Sequence, residues 1–143
     1  MKTMALATRN SKEILRDKLN LTFGLGFPVV LLLLLTAIQS NIPAEIFVID
    51  QLTPGIAVFG LSFISLFSGM LIAKDRTSSL MLRLFTSPLT PGNFLFGYTI
   101  PLLPMAALQV GVCFSVAFFL GLTIDINVML AIIVLIPAMV LFI

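Results

Sequence analysis

Four long apolar stretches, divided by short polar ones, organise the chain. They run from Leu21 to Ile38 (LTFGLGFPVVLLLLLTAI), Pro54 to Ala73 (PGIAVFGLSFISLFSGMLIA), Phe94 to Leu122 (FLFGYTIPLLPMAALQVGVCFSVAFFLGL) and Ile126 to Ile143 (INVMLAIIVLIPAMVLFI). A helix needs about 20 predominantly apolar residues to cross a bilayer, so each stretch predicts a transmembrane span. The third is long enough to tilt or to begin outside the hydrocarbon. The fourth stops while still apolar, without the interfacial anchors that usually close a span. This leads to the expectation that the chain is a piece of a longer one.

Two segments follow a helical period with polar and apolar sides instead. In residues 1–20, Met4, Ala7, Ser11, Ile14, Leu15 and Leu19 share one side of a helical wheel. Arg9, Lys12, Glu13, Arg16 and Asp17 share the other, with Lys18 at the apolar flank, where its stem can snorkel. The pattern predicts an amphipathic helix lying on the membrane interface and leading into the first span. Between Arg76 and Ser87 a shorter one fits. Arg76, Ser79, Arg83, Thr86 and Ser87 fall in one polar arc, while Leu80, Met81, Leu82, Leu84 and Phe85 cover most of the remainder. Pro88 stops it, and Pro91-Gly92 turns the chain into the third span. The expected fold is therefore an all-α membrane protein: an interfacial N-terminal helix, four spans, and a short helix between the second and third.

Composition agrees. Of the 143 residues, 59% are hydrophobic and 10% charged, and mean hydropathy is +1.19; soluble domains sit near 45–50% apolar and 25% charged. Too few ions are present to cover a water-facing surface. All eight Lys and Arg lie either before the first span (Lys2, Arg9, Lys12, Arg16, Lys18) or between the second and third (Lys74, Arg76, Arg83). The other two connections carry only the acids Glu45, Asp50 and Asp125. By the positive-inside rule, the N-terminus and the 74–83 segment face the cytoplasm of a multi-pass cell-membrane protein.

Inside the spans there is no Asp, Glu, Lys or Arg, the residues that ordinarily mark an intramembrane proton or ion relay. Pro101 and Pro104 each remove a backbone donor from the third span and predict a kink or local unwinding, a candidate hinge. Gln109 is placed either to line a substrate path or to hydrogen-bond a neighbouring helix. Ser65, Gly69 and Ala73, and Ala107, Gly111 and Ser115, form small-residue rows that allow close helix approach; packing within the bundle is the expected use. The single Cys113 lies in an apolar run and reads as a packing residue.

The segment "KDRTSSLMLRLFTSPLTPGNFLFGY" resembles the cytoplasmic loop of ATP-binding-cassette type-2 exporter permeases. Asp75-Arg76, Thr77, Leu80, Leu84, Ser87-Pro88-Leu89-Thr90 and Gly97 match that pattern in order. Ser78 departs from it, standing where a Gly is common, as does Tyr98, standing where a basic residue often follows the Gly. The resemblance extends over nearly the whole chain, because interfacial helix, spans and loops come in the family's order. It implies the first four of six spans and a permease that forms the substrate path. Its partners would be a separate nucleotide-binding ATPase subunit, a second permease copy or homologue, and the lipid bilayer, with no nucleic acid and no cofactor. It further implies that Arg76, Thr77, Leu80, Met81, Arg83, Leu84, Phe85, Ser87 and Pro88 form a coupling helix docked on the ATPase. Consistent with such a division of labour, the chain has no G-x-x-x-x-G-K phosphate loop.

Other classes explain less. An intramembrane enzyme would need paired carboxylates, a His-containing metal site or a nucleophile with its base, yet there is no His and every acid lies outside the spans. A small self-associating multidrug carrier lacks the embedded carboxylate that such coupling requires. An accessory or scaffold membrane subunit also fits the composition and stays open as an alternative.

Overall fold

A computed structural model describes residues 2–43, 46–77, 86 and 90–143. The described residues form five α-helices: α1 (Lys2–Arg16), α2 (Lys18–Gln39), α3 (Ile49–Thr77), α4 (Pro91–Phe119) and α5 (Ile126–Phe142). Helices α2, α3 and α4 are each long and apolar enough to cross a membrane. Helix α5 is equally apolar but has 17 residues.

The boundaries differ from the expected ones at three places, each for a local reason. The N-terminal helix ends at Arg16, so residues 18–20 open the first spanning helix. Asp17 breaks the chain there and caps α2, its side chain accepting from Asn20 N at 3.2 Å and Asn20 Nδ2 at 2.7 Å, which is the ordinary role of Asp ahead of a helix. Helix α3 starts five residues before the apolar stretch and continues past it to Thr77. Its 29 residues span about 43 Å at 1.5 Å each, against about 30 Å of hydrocarbon, so its polar ends, Asp75 included, project beyond the Pro54 to Ala73 span. Helix α4 begins at Pro91, where Thr90 caps it by accepting from Asn93 N at 3.3 Å and Pro occupies the position whose N–H needs no partner. It ends before Leu122, because Gly121 takes φ 104°. Leu122 N then donates to Ala117 O (3.0 Å) and Gly121 N to Phe118 O (3.2 Å), the bonding pattern of a glycine-terminated helix.

The core is a seam between α3 and α4, built from Ala57, Leu61 and Ile64 against Leu102, Ala106 and Val110, with Leu135 of α5 at its edge. Leu32 of α2 closes a second cluster with Ile56, Cys113 and Ala117. Along the α2–α3 contact, Phe27 lies edge-on to Phe63 at 5.2 Å, and Phe59 to Phe63 at 5.3 Å. The expected small-residue rows do not supply these contacts. Gly69, Ala73, Ala107, Gly111 and Ser115 all lie exposed on the outside of the bundle, and a Cβ at Gly69 or Gly111 would meet nothing within 4 Å. Close approach comes instead from Gly60, shifted round α3 from that row. Cys113 is fully buried, as expected of a packing residue.

Candidate coupling site: a polar clasp over three helices

At one end of the bundle α1 packs on α4 and reaches α3 through its side chains, and a set of polar contacts fastens it there. Asp75, 1% exposed, is the centre. Arg9 embraces its carboxylate with two parallel bonds, Nη1 to Oδ2 at 2.6 Å and Nη2 to Oδ1 at 2.8 Å. Tyr98 Oη donates to Oδ2 at 2.5 Å. Three helices thus meet on one carboxylate, and bidentate Arg–carboxylate pairs are among the stronger and more directional hydrogen bonds. Burial alone would push the Asp75 carboxyl up, but the bonds from Arg9 and Tyr98 outweigh it and hold it below the ordinary carboxylate range. The bond to Asp75 likewise raises the Arg9 guanidinium further. Glu13 extends the set, accepting from Arg9 at 2.5 Å and from Lys74 at 2.8 Å.

A second contact reaches the backbone of α4. Pro101 has no N–H to offer the Gly97 carbonyl four residues before it. Asn10, fully buried, fills that vacancy by donating from Nδ2 to Gly97 O at 3.0 Å, while its own Oδ1 accepts from Arg9 Nη1 at 3.0 Å. Gly97 also lets α1 come close. A Cβ there would stand 2.5 Å from Leu6 Cδ2 and 2.9 Å from Leu6 Cγ. Thr3 Oγ1 donates to Asn93 Oδ1 at 3.0 Å one turn earlier in α4.

The clasp brackets the segment that carries the expected coupling residues. Arg76 and Thr77 form the exposed last turn of α3, where the Thr77 hydroxyl donates to Lys74 O at 2.9 Å. Leu80, Met81, Arg83, Leu84, Phe85, Ser87 and Pro88 lie outside the described residues. Pro101 is buried beside the clasp, and α4 runs as one helix through both Pro101 and Pro104, so the expected local unwinding is not found. Gln109 sits elsewhere, sealed at 1% exposure where α2, α3 and α4 cross. Its Nε2 reaches Ala57 O at 3.5 Å and Cys113 Sγ at 3.6 Å. Its Oε1 finds no partner among the described residues.

The amphipathic reading of α1 divides in the structure. Ala7 is buried on the bundle, whereas Met4 and Leu15 point outward. Arg9, assigned to the solvent side, turns inward onto Asp75. The polar positions Asn10 and Asp75 were not singled out as structural from the sequence. The available signal was a carboxylate one helical turn or less beyond an apolar span, beside a departure from the expected basic residue at Tyr98.

Long apolar helices, a polar clasp at one end and no Asp, Glu, Lys or Arg within the apolar stretches define a multi-pass membrane protein. Over its whole length, residues 1–143, the chain matches the family model described as ABC-2 type transporter. It belongs to that family, as a membrane-embedded component of a transport system that is not itself catalytic. No curated protein and no solved structure matches the chain.

Proposed function

We propose that the chain is the permease subunit of an ATP-driven exporter and that residues 76–87 present the surface on which a separate ATPase subunit docks. The observation that carries this reading is the convergence of Arg9, Asp75 and Tyr98. One side of the loop leaves α3 just after Asp75, and the other enters α4 just before Gly97 and Tyr98. With both ends tied to α1, a force applied to the loop moves α3 and α4 as one body rather than bending a flexible link.

In this reading the four apolar helices are the first four of six spans. The substrate path runs between this permease and a second copy or homologue, towards which the outward-facing apolar side chains of α5 are available. The confinement of all eight Lys and Arg to the N-terminal segment and the connection between the second and third spans supports a cell-membrane protein with those segments in the cytoplasm. A reporter fused after Arg83 then reads as cytoplasmic and one inserted near Asn41 or Glu45 as external; a cytoplasmic signal at Glu45 overturns the orientation.

The docking itself is tested by Leu84→Asp in the full-length permease. Burying a large apolar side chain contributes about 1.5–3 kcal/mol, and Arg76 and Arg83 would select an acidic rim on the partner. The variant keeps every basic residue, so insertion is preserved. The expected result is loss of the ATPase subunit in a detergent pull-down and loss of transport. Normal insertion with the partner retained and transport undiminished shows that the charges serve topology alone.

A further inference from the structure

The elbow between α1 and α2 opens onto a cleft of about 940 Å³ to which the transport reading gives no role. Five cations line it, Arg9, Lys12, Arg16, Lys18 and Lys74, with the carboxylates Glu13 and Asp17. Both carboxylates are already committed. Glu13 pairs with Arg9 and Lys74, and Asp17 caps α2. Arg9 is held by Asp75. Lys12, Arg16 and Lys18 are exposed and take part in none of the ion pairs among the described residues. Lys12 and Arg16 stand one helical turn apart, a spacing at which like charges repel. The cleft therefore carries five cations against two carboxylates, and three of the cations stand without an ion pair of their own among the described residues.

The basic cleft adjoins an apolar cavity. Glu13, Asp17 and Lys74 are shared with a cavity of about 230 Å³ whose apolar walls are Ile14, Phe67, Met70, Leu71, Leu102 and Met105. Leu15 and Leu19, 68% and 73% exposed, flank the elbow. An anionic head joined to a hydrocarbon chain matches both parts, whereas a soluble anion matches only the first.

We propose that the elbow binds an anionic phospholipid from the leaflet against which α1 lies. Lys12, Arg16 and Lys18 hold the headgroup phosphate, and the head of an acyl chain enters the slot between α1, α3 and α4. The site goes beyond the transport reading and does not depend on the ATPase partner or on orientation, because binding is measured on the solubilised protein.

The test is native mass spectrometry of the full chain in neutral detergent, titrated with phosphatidylglycerol or phosphatidylcholine. Phosphatidylglycerol is expected to be retained at least about tenfold more strongly, since each juxtamembrane cation contributes about fivefold towards an anionic headgroup. Lys12→Gln/Arg16→Gln/Lys18→Gln is expected to abolish the preference, and Lys12→Arg/Lys18→Arg to keep it. Should the triple variant not fold, Lys12→Gln alone is expected to lower phosphatidylglycerol retention about fivefold. Equal retention of the two lipids, or unchanged phosphatidylglycerol retention in the folded triple or single Gln variant, overturns the proposal. So does release of the lipid by millimolar inorganic phosphate, which assigns the cleft to a free anion instead.

Discussion

Asn10 donates from its side-chain amide to the carbonyl of Gly97 at 3.0 Å, the one acceptor that Pro101 leaves without its helical donor. A proline in one helix and an asparagine in another are therefore halves of a single device. Replacing Asn10 by Ala leaves a buried carbonyl unpaired, at a cost of about 1–3 kcal/mol. In a Pro101→Ala background the helix supplies its own N–H, and the same Asn10→Ala change is expected to cost much less. Thermal unfolding of the four proteins of this cycle in one detergent measures the difference. Equal costs in both backgrounds would show that Asn10 acts through packing and its bond from Arg9 rather than through the Gly97 carbonyl.

Asp75 carries the second device, and its two partners are separable. Tyr98→Phe removes one hydrogen bond to an ionised acceptor, worth about 1.5–3 kcal/mol, and keeps the ring tilted against Phe94, whose centroid lies 4.8 Å away. Arg9→Gln strips the charge that offsets a buried carboxylate and is expected to cost at least as much, discounted because Arg9 is itself 36% exposed. Arg9→Gln is expected to free α1, seen as faster amide exchange across residues 3–16, while the core seam around Ala106 keeps its protection. Uniformly faster exchange throughout would instead mark Arg9 as a residue of global stability.

The same carboxylate sets a pH window. Its folded-state pKa is held below the ordinary value, so its contribution is fully present above the unfolded carboxylate value of about 3.9 and is lost as pH falls through the lowered folded one. Between pH 5 and 8 the protection of α1 is expected to be flat. Acid release is expected only below about pH 4, and Asp75→Asn is expected to remove that step. A transition near neutral pH would contradict the assignment, since the chain contains no His to supply one.

The apolar periods made the spans legible because bilayer thickness imposes a length on them, and that constraint acts on each helix separately. The clasp was not legible in the same way. Whether Arg9 faces water or a carboxylate depends on where α1, seated on α4, brings it against α3, a contact 66 residues apart in sequence that no local period encodes. The polar arc of α1 gave the correct helix and put Arg9 on the wrong surface. The small-residue rows failed for a related reason. Spacing fixes which residues share a face, as with Gly69 and Ala73, but the partner decides which face is inside, and Gly60 marks it here. Pro101 predicted a break from its missing donor. Asn10, carried by another helix, compensates for that vacancy.

Gly60 and Gln109 test that inner face and separate the two uses that sequence alone leaves open for the glutamine. A Cβ on Gly60 would overlap Gln109 Nε2 and stand 2.7 Å from its Cδ and 2.9 Å from Pro28 Cγ. Gly60→Ala therefore forces the amide aside and presses on a rigid proline ring, and overpacking of this kind costs about 1–3 kcal/mol. Adding Gln109→Ala removes two of the three collisions, so the double variant is expected to recover most of the loss, a non-additivity typical of residues in contact. Gln109→Leu alone is expected to leave stability unchanged or raised. The donor bonds it forfeits are long, the amide oxygen it removes is already unpaired, and the Ala57 carbonyl lies inside α3 and keeps its helical donor, so no buried acceptor is orphaned. Transport by the full-length permease then decides the use. If Gln109 only joins helices, Gln109→Leu transports as the unaltered protein does. Transport lost in a variant of undiminished stability instead places the glutamine on the path, reached when the α2–α3–α4 crossing opens.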